Sequence, residues 1–437
     1  MGLSVFYKKA LVTCSMLCCI SLFTQAQDTL SLRKAVDIAL KNSLDIVLAR
    51  NDIEAATIFN NYGYAGGLPL VTGTVTDNEQ VTSVNQKLNT GTSIKRNNAS
   101  GNQLTAGVTG SILLYNGGRV IATKKRLEEL EKQSNHRLTG QIQNTIADVM
   151  TAYYDIVRQQ NYIKTIDKSI DASNQQLTIV KTRQNVGLAN NADLFQAQID
   201  LNALQQSRQA QELIVAQAKS ELLRLLTLKA DSAILIQDTI VVDNNVMLQN
   251  VLDNIPKSAD IVAADDQIRI NELIVKETQA LRYPSVRALA GYSFSRNQAG
   301  AGQTLFNQSF GPSVGISLGI PIFNGSIYRR QAQVAKIDVR NADVQKQVLF
   351  RDYNANAVKQ YQSYVSNLQQ LTTERENYKL SQQLLDLVLQ RFQLRQATIV
   401  EVKNAQQSFE ESGYRLVNLS YAAKASEIEL KRLGNSL

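Results

Sequence analysis

The sequence predicts a mostly α-helical fold with a smaller β part, built as tandem helix–strand–strand–helix repeats. Three observations predict it. The second half of the 437-residue chain repeats the first at a nearly constant offset. Two very long runs contain no proline, and two short regions between helices alternate apolar and small residues.

The repeat is read residue by residue. Tyr115-Asn116-Gly117 matches Phe323-Asn324-Gly325 at an offset of 208, which also pairs Tyr153 with Tyr361, Arg183 with Arg391 and Ala197-Gln198 with Ala405-Gln406. Upstream the offset is 215, pairing Asp45-Ile46 with Asp260-Ile261 and Pro69 with Pro284. The seven-residue difference falls between Pro69 and Asn116, where Asn78 to Asn102 is rich in Thr, Asn, Ser and Gly and reads as a long solvated loop. Repeat 1 is therefore placed at 27–228 and repeat 2 at 246–437, joined by a segment at 229–245.

Each repeat opens with an amphipathic helix, about Ser31 to Asn61 and about Val246 to Ala280. Strands follow at about 69–115 and 284–323, and long helical hairpins at about 118–228 and 327–433. The five prolines all lie outside those hairpins, and a proline inside a helix costs ~3 kcal/mol. Ile142, Val149, Ile156, Ile163, Ile170 and Leu177 form a seven-residue ladder, a period that imposes a left-handed supercoil. The second seam position is often polar (Gln160, Asp167, Asn174), so these helices suit a coiled-coil wall with one wet face. An exported coiled-coil rod without a pore is the alternative on the helices alone.

The strands favour a membrane wall. Phe310, Pro312, Val314, Ile316, Leu318, Ile320 and Ile322 alternate with small residues, and Val286, Ala288, Ala290, Tyr292 and Phe294 with Arg287, Leu289, Gly291, Ser293 and Ser295. Strands of ~9–11 residues, apolar on one face, suit a lipid-facing barrel, although a soluble sandwich also alternates. Tyr115, Tyr283, Tyr292, Phe294, Phe310 and Phe323 are expected near strand ends, where an aromatic girdle would sit. Four strands cannot close around a lumen, since small closed barrels have about eight. Open sheet edges are not tolerated in lipid, so several chains would have to pool their strands.

Composition narrows the function. Lys+Arg 46 against Asp+Glu 38 gives a formal charge of +8, too diffuse to argue for nucleic acid. A single His excludes a multi-histidine metal site, no paired-acid site stands out, and neither an enzyme nor a cofactor is expected. Residues 1–26 read as a secretory signal peptide: Lys8-Lys9, an apolar core from Ala10 to Phe23, then Thr24-Gln25-Ala26. A short buried helix is the alternative, and a lipid anchor on Cys14 a weaker one. Cleavage after Ala26 removes Cys14, Cys18 and Cys19 and lowers the charge to +6.

At this point the sequence resembles the TolC-type outer membrane factors over essentially all of the mature chain. The resemblance rests on the duplicated plan, on the turns Asn116-Gly117-Gly118 and Asn324-Gly325, and on the tip segments Val186 to Asp193 and Thr398 to Val402. It implies a homotrimer with a twelve-stranded outer-membrane β-barrel continuous with a periplasmic α-helical coiled-coil barrel. It also implies a periplasmic adaptor and an inner-membrane transporter as partners, and a passive duct for efflux or type I secretion. At the tip it singles out Asp193 and Glu401, which are 208 apart, with Glu401 as a ring of acids at the entrance. Asn404 stands where a second acid is expected; Ala397 and Phe392 stand in place of an arginine and a tyrosine. The tip glycine is kept as Gly187 and replaced by Arg395 in repeat 2. Three converging Glu401 carboxylates would repel one another, favour cations and raise their pKa; a solvated helix residue is the other reading. His136 is expected at the surface, and the basic run Lys124-Lys125-Arg126 with Arg329-Arg330 either meets lipid headgroups or is plain helix-start solvation.

Overall fold

The computed structural model describes residues 29–437, so the signal peptide and the three cysteines lie outside the described residues. The opening helix of each repeat is broken, where the sequence suggests one piece. In repeat 1, α1 (Leu32–Asn42) and α2 (Leu44–Phe59) meet at Ser43. There the chain leaves helical geometry, and the Ser43 hydroxyl accepts the Ile46 N–H at 3.5 Å. In repeat 2, α5 (Leu248–Asn254) and α6 (Ala259–Ala280) are separated by a 3₁₀ turn, Ile255–Lys257, and Ser258. Ser43 and Ser258 are 215 residues apart, the same offset that pairs the flanking sequence. Only Ser43 caps the new helix start through its side chain; the Ser258 hydroxyl makes no cap bond. In both repeats a small serine interrupts the helix without disturbing the apolar period, so the pattern alone does not betray the break.

Two helices follow the strands in each repeat: α3 (Arg119–Asn185) and α4 (Asn191–Leu225), then α7 (Ile327–Gln393) and α8 (Ile399–Leu433). Their boundaries coincide at an offset of 208 at all four ends. No helix among the described residues is long and apolar enough to cross a membrane.

The chain divides into two compact units. One comprises Gln141–Ile255 and Asn354–Leu437 with the described part of Met1–Val47. Its core joins Ala35 and Ala39 of α1, Val149, Tyr153 and Ile156 of α3, Leu222 of α4 and Ile428 of α8. The inter-repeat segment takes part: Ile236 is buried, and the Leu30 N–H donates to the Leu235 carbonyl at 2.8 Å. Tyr153, matched to Tyr361 by the repeat, donates to the Leu30 carbonyl at 3.1 Å. Of the seven-residue ladder, Val149, Ile156 and Leu177 are buried and the others less so, as a seam interrupted by polar residues requires.

The other unit, Leu48–Gly140 and Pro256–Tyr353, holds the β part. Strands β1 (Leu70–Lys87), β2 (Ser93–Tyr115), β3 (Ser285–Ala299) and β4 (Phe306–Gly319) form one antiparallel sheet in that order. The segment Asn78 to Asn102, expected as a loop, is instead mostly ladder. Pairing runs from Asn78↔Gln103 to Lys87↔Ser93, with an irregularity between Thr82 and Val84. Its turn closes at Leu88, whose N–H donates to the Thr92 carbonyl at 2.8 Å. Composition marked the stretch correctly as solvated. Because neither of its faces is apolar, no period-two signal exposed the strands.

Register fixes the two faces. One carries Val71, Val75, Val108, Tyr292, Phe310, Val314 and Ile316, all exposed. The opposite face is built of small residues: the rows Thr72–Thr109–Gly291–Ser313 and Thr74–Gly107–Ser293–Gly311 run straight across the sheet. On β3 the apolar face spans Val286 to Phe294, about 26 Å at ~3.3 Å per residue, close to the ~25 Å apolar band of an outer-membrane wall. It ends at the row Asp77–Leu104–Arg296–Gln308. The strands therefore outrun the band. Tyr292 and Phe294 lie in mid-strand rather than near a strand end, though Phe294 and its partner Phe310 still form the band's last row. Among the described residues both outer strands, β1 and β4, have one unpaired edge, and Pro312 lies in β4, where a missing N–H is tolerated.

Candidate functional site: helix tips and strand-exit turns

The two helix tips are built alike. At tip 1 the Leu188 N–H donates to the Arg183 carbonyl at 2.7 Å and the Gly187 N–H to Gln184 at 2.9 Å. At tip 2, 208 residues on, the Gln396 N–H donates to Arg391 at 2.8 Å and the Arg395 N–H to Phe392 at 3.1 Å. Both are helix ends closed by a left-handed residue, with φ 74° at Gly187 and 66° at Arg395. For a residue with a Cβ this backbone costs roughly 1–2 kcal/mol. Arg395→Gly is therefore expected to stabilise the unit by about 1 kcal/mol, read as a higher midpoint in denaturant unfolding, whereas Gly187→Ala should lose a similar amount.

Each return helix is capped at the matching position. The Asn190 side chain accepts the Asp193 N–H at 2.7 Å, and Thr398 Oγ1 accepts the Glu401 N–H at 3.2 Å. Repeat 2 adds a reciprocal bond: Glu401 Oε2 accepts the Thr398 N–H at 2.6 Å, completing a capping box. Asp193 and Glu401 thus share a place in the repeat but not a role. The Glu401 carboxylate is exposed and is folded back onto its own helix start. The Thr398 N–H, then its hydroxyl, hold its pKa below the ordinary 4.5 within the single chain. Since the folded pKa is depressed, this capping is complete above pH ~4.5 and is lost as pH falls through the lowered value. Asn404, one turn on, is exposed. Among the described residues no hydrogen bond or ion pair joins Asp193, Glu401 and Asn404.

Beneath the tips lies an apolar cluster: Leu177 and Val180, Leu201, Leu385 and Phe392, Val402 and Phe409. Three contacts here left no trace in the sequence pattern. The Arg183 guanidinium lies over the Phe392 ring at 4.4 Å and donates to the Phe392 carbonyl. Arg391 donates to the Gln396 carbonyl at 2.8 Å. Lys403 pairs with Asp200 at 2.9 Å, tying one return helix to the other. A fourth group, a buried Glu427 held by Lys424 and Lys431, was also missed, because its repeat-1 counterparts are uncharged or basic.

The strand-exit turns belong to the β unit. Gly117 and Gly118 have φ 68° and 81°, and their counterparts Gly325 and Ser326 both have 65°. The Asn116 side chain accepts the Val120 N–H at 3.3 Å, so the asparagine caps α3 as the glycines reverse the chain. Of the basic run, Lys124 is taken by Glu128 at 2.6 Å and Arg126 by Glu277 at 2.7 Å, which leaves Lys125 and Arg329-Arg330 for solvent or headgroups. His136 is half-exposed, as a surface histidine should be, yet its Nδ1 meets the buried Asp266 carboxylate at 2.6 Å.

A duplicated helix–strand–strand–helix chain with one four-stranded sheet and two long helical hairpins defines the outer membrane factor fold. The outer membrane efflux protein family matches residues 35–228 and 253–436, and the chain belongs to that family. An uncharacterized protein of Haemophilus influenzae is 26% identical over 373 residues, 83% of this chain and 77% of that protein. Among solved structures, the outer membrane protein VceC from Vibrio cholerae is similar with a TM-score of 0.76 at 17% identity, covering 92% of this chain and 96% of that one. The Campylobacter jejuni CmeC outer membrane channel is similar with a TM-score of 0.73 at 16% identity, covering 95% and 90%.

Proposed function

We propose that this chain is a passive outer-membrane channel: the exit duct of a tripartite efflux pump or a type I secretion machine, not an enzyme. The observation that carries the reading is the open four-stranded sheet with one exposed apolar face of bilayer height. In lipid its two edges must be paired, and three chains pooling four strands each would close a twelve-stranded barrel around the Thr/Ser/Gly face. The helical hairpins then form the periplasmic wall, and their tips meet a periplasmic adaptor and an inner-membrane transporter. The test is direct: the detergent-extracted protein should run as a boiling-sensitive trimer and give single-channel currents in planar bilayers. A monomer that never permeabilises vesicles would leave the non-conducting coiled-coil scaffold as the reading.

Glu401 is proposed as the acidic ring of the periplasmic entrance. Glu401→Gln tests its charge alone, because glutamine also serves in a capping box and the helix start survives. The substitution is expected to lower cation selectivity and weaken block by divalent cations. If reversal potentials and block are unchanged, Glu401 is only a cap.

A further inference from the structure

The small-residue face of the sheet is almost free of charge. From Thr72 to Asn78 its rows hold only Thr, Ser, Gly, Asn and Gln, with Leu70, Leu113 and Leu289 nearer the helices, and the carboxylates Asp77 and Glu79 lie on the other parity. At the height of the apolar band Arg287 is the exception, in the row Leu113–Arg287–Ser317 at the end where the strands meet the long helices; Arg96, opposite Val84, lies far out in the first hairpin. There a groove of about 420 Å³ is lined by Arg287, by Arg119 at the start of α3, and by Tyr283, Tyr328, Ser285 and Asn116. No carboxylate lines it. Both arginines are exposed, and among the described residues neither has an acid within salt-bridge distance, although Lys124 and Arg126 nearby are neutralised by Glu128 and Glu277.

Two uncompensated guanidiniums beside two phenol rings define a ligand chemistry. A guanidinium presents paired donors to a planar oxyanion, and a phenol ring offers an apolar surface. We propose that this groove binds organic anions that carry an aromatic body, with Arg119 and Arg287 taking the carboxylate or sulfonate and Tyr283 and Tyr328 the ring. It lies on the face opposite the apolar band, which favours a soluble anion over a lipid headgroup. That the bound anion is cargo in transit rests on the channel reading above; the binding itself does not.

The experiment measures 2-naphthoate binding to the full detergent-solubilised protein by titration calorimetry at low salt. Arg287→Gln and Arg119→Gln are each expected to weaken binding about tenfold, as loss of a charge-assisted pair should. Arg287→Lys, which keeps the charge but not the paired donors, should weaken binding measurably yet less than Arg287→Gln. The cation 1-naphthylmethylammonium should not compete, nor should phosphatidylglycerol. Equal naphthoate affinity in wild type and both glutamine variants overturns the proposal. So does competition by the cation, or displacement by the lipid, which would make the groove a headgroup site. Planar-bilayer currents are read separately. Binding without conductance would fail the channel reading and leave the site standing; conductance with unaltered binding would fail the site alone.

Discussion

Gly117→Val is expected to cost about 2–5 kcal/mol and to abolish most of the assembled protein. The first turn leaving the sheet places Gly117 at φ 68°, and a Cβ there would meet the Tyr283 Cβ at 2.6 Å and the Ala280 carbonyl at 3.0 Å. The carbonyl belongs to the end of α6 and cannot step aside without unwinding it. Overpacking of this kind costs roughly 1–3 kcal/mol and the left-handed backbone roughly 1–2 more. The adjacent Gly118 is the control. Its φ is 81°, but nothing lies within 4 Å of an added Cβ, and repeat 2 already carries Ser326 at that place. Gly118→Ala should therefore cost only about 1 kcal/mol. Denaturant unfolding of the solubilised protein, with the yield of membrane-extracted protein, separates the two. Similar losses at both positions would show that chain reversal alone matters and that the contact with Tyr283 does not.

Glu427→Ala is expected to cost about 3–5 kcal/mol, because it strands a buried cation. Glu427 is 1% exposed; its two oxygens hold Lys424 at 2.9 and 3.0 Å, and Lys431 lies at 2.8 Å. It also accepts the Asp243 N–H at 2.9 Å, which fixes the inter-repeat segment against α8. Once the carboxylate is gone, Lys424 is left buried without a paired acid, with the Tyr154 ring 5.3 Å away and the Asp243 charge acting from beyond hydrogen-bond reach. Replacing both charges, as Lys424→Met with Glu427→Leu, should recover much of the loss, since an apolar pair of similar volume often replaces a buried ion pair at little cost. The cluster also sets an alkaline limit. Burial works against the charged Lys431, but bonds to Glu427 and Asp243 outweigh it and raise its pKa above the ordinary 10.5. A raised folded pKa means that the stabilisation is complete below 10.5 and is lost as pH climbs through the raised value. Unfolding midpoints should accordingly fall at high pH in wild type and change less in the double variant.

Much of this architecture could be read from the residues, and the reasons are local. The proline-free runs and the seven-residue ladder carry helices whose ends match at one offset, and alternation on β3 and β4 carries the sheet. The Asn-Gly turns were legible because positive φ selects glycine or asparagine. What escaped was whatever does not repeat or has no period. The breaks at Ser43 and Ser258 keep the apolar rhythm on both sides. The polar arms of the first hairpin pair through the backbone ladder and polar side chains such as Asn102 with Glu79, neither of which leaves an apolar period. At the tips, Glu401 was found as a charge but not as a cap, although Thr398-Ile399-Val400-Glu401 has the Thr-x-x-Glu spacing that marks a capping box. Lys403–Asp200 and the Glu427 cluster join parts of the sequence with no shared offset, so nothing in the duplicated pattern marked them.

The seven extra residues of repeat 1 add length to the first hairpin, whose polar arms extend past the last apolar row, while α3 and α7, like α4 and α8, keep one length to the residue. Size is thus pinned wherever a segment must stay in step with its twin and is slack where the chain meets only water. Peptide tags should be borne between Leu88 and Thr92, whereas removing one turn from α7 alone would throw its hairpin out of phase with the other.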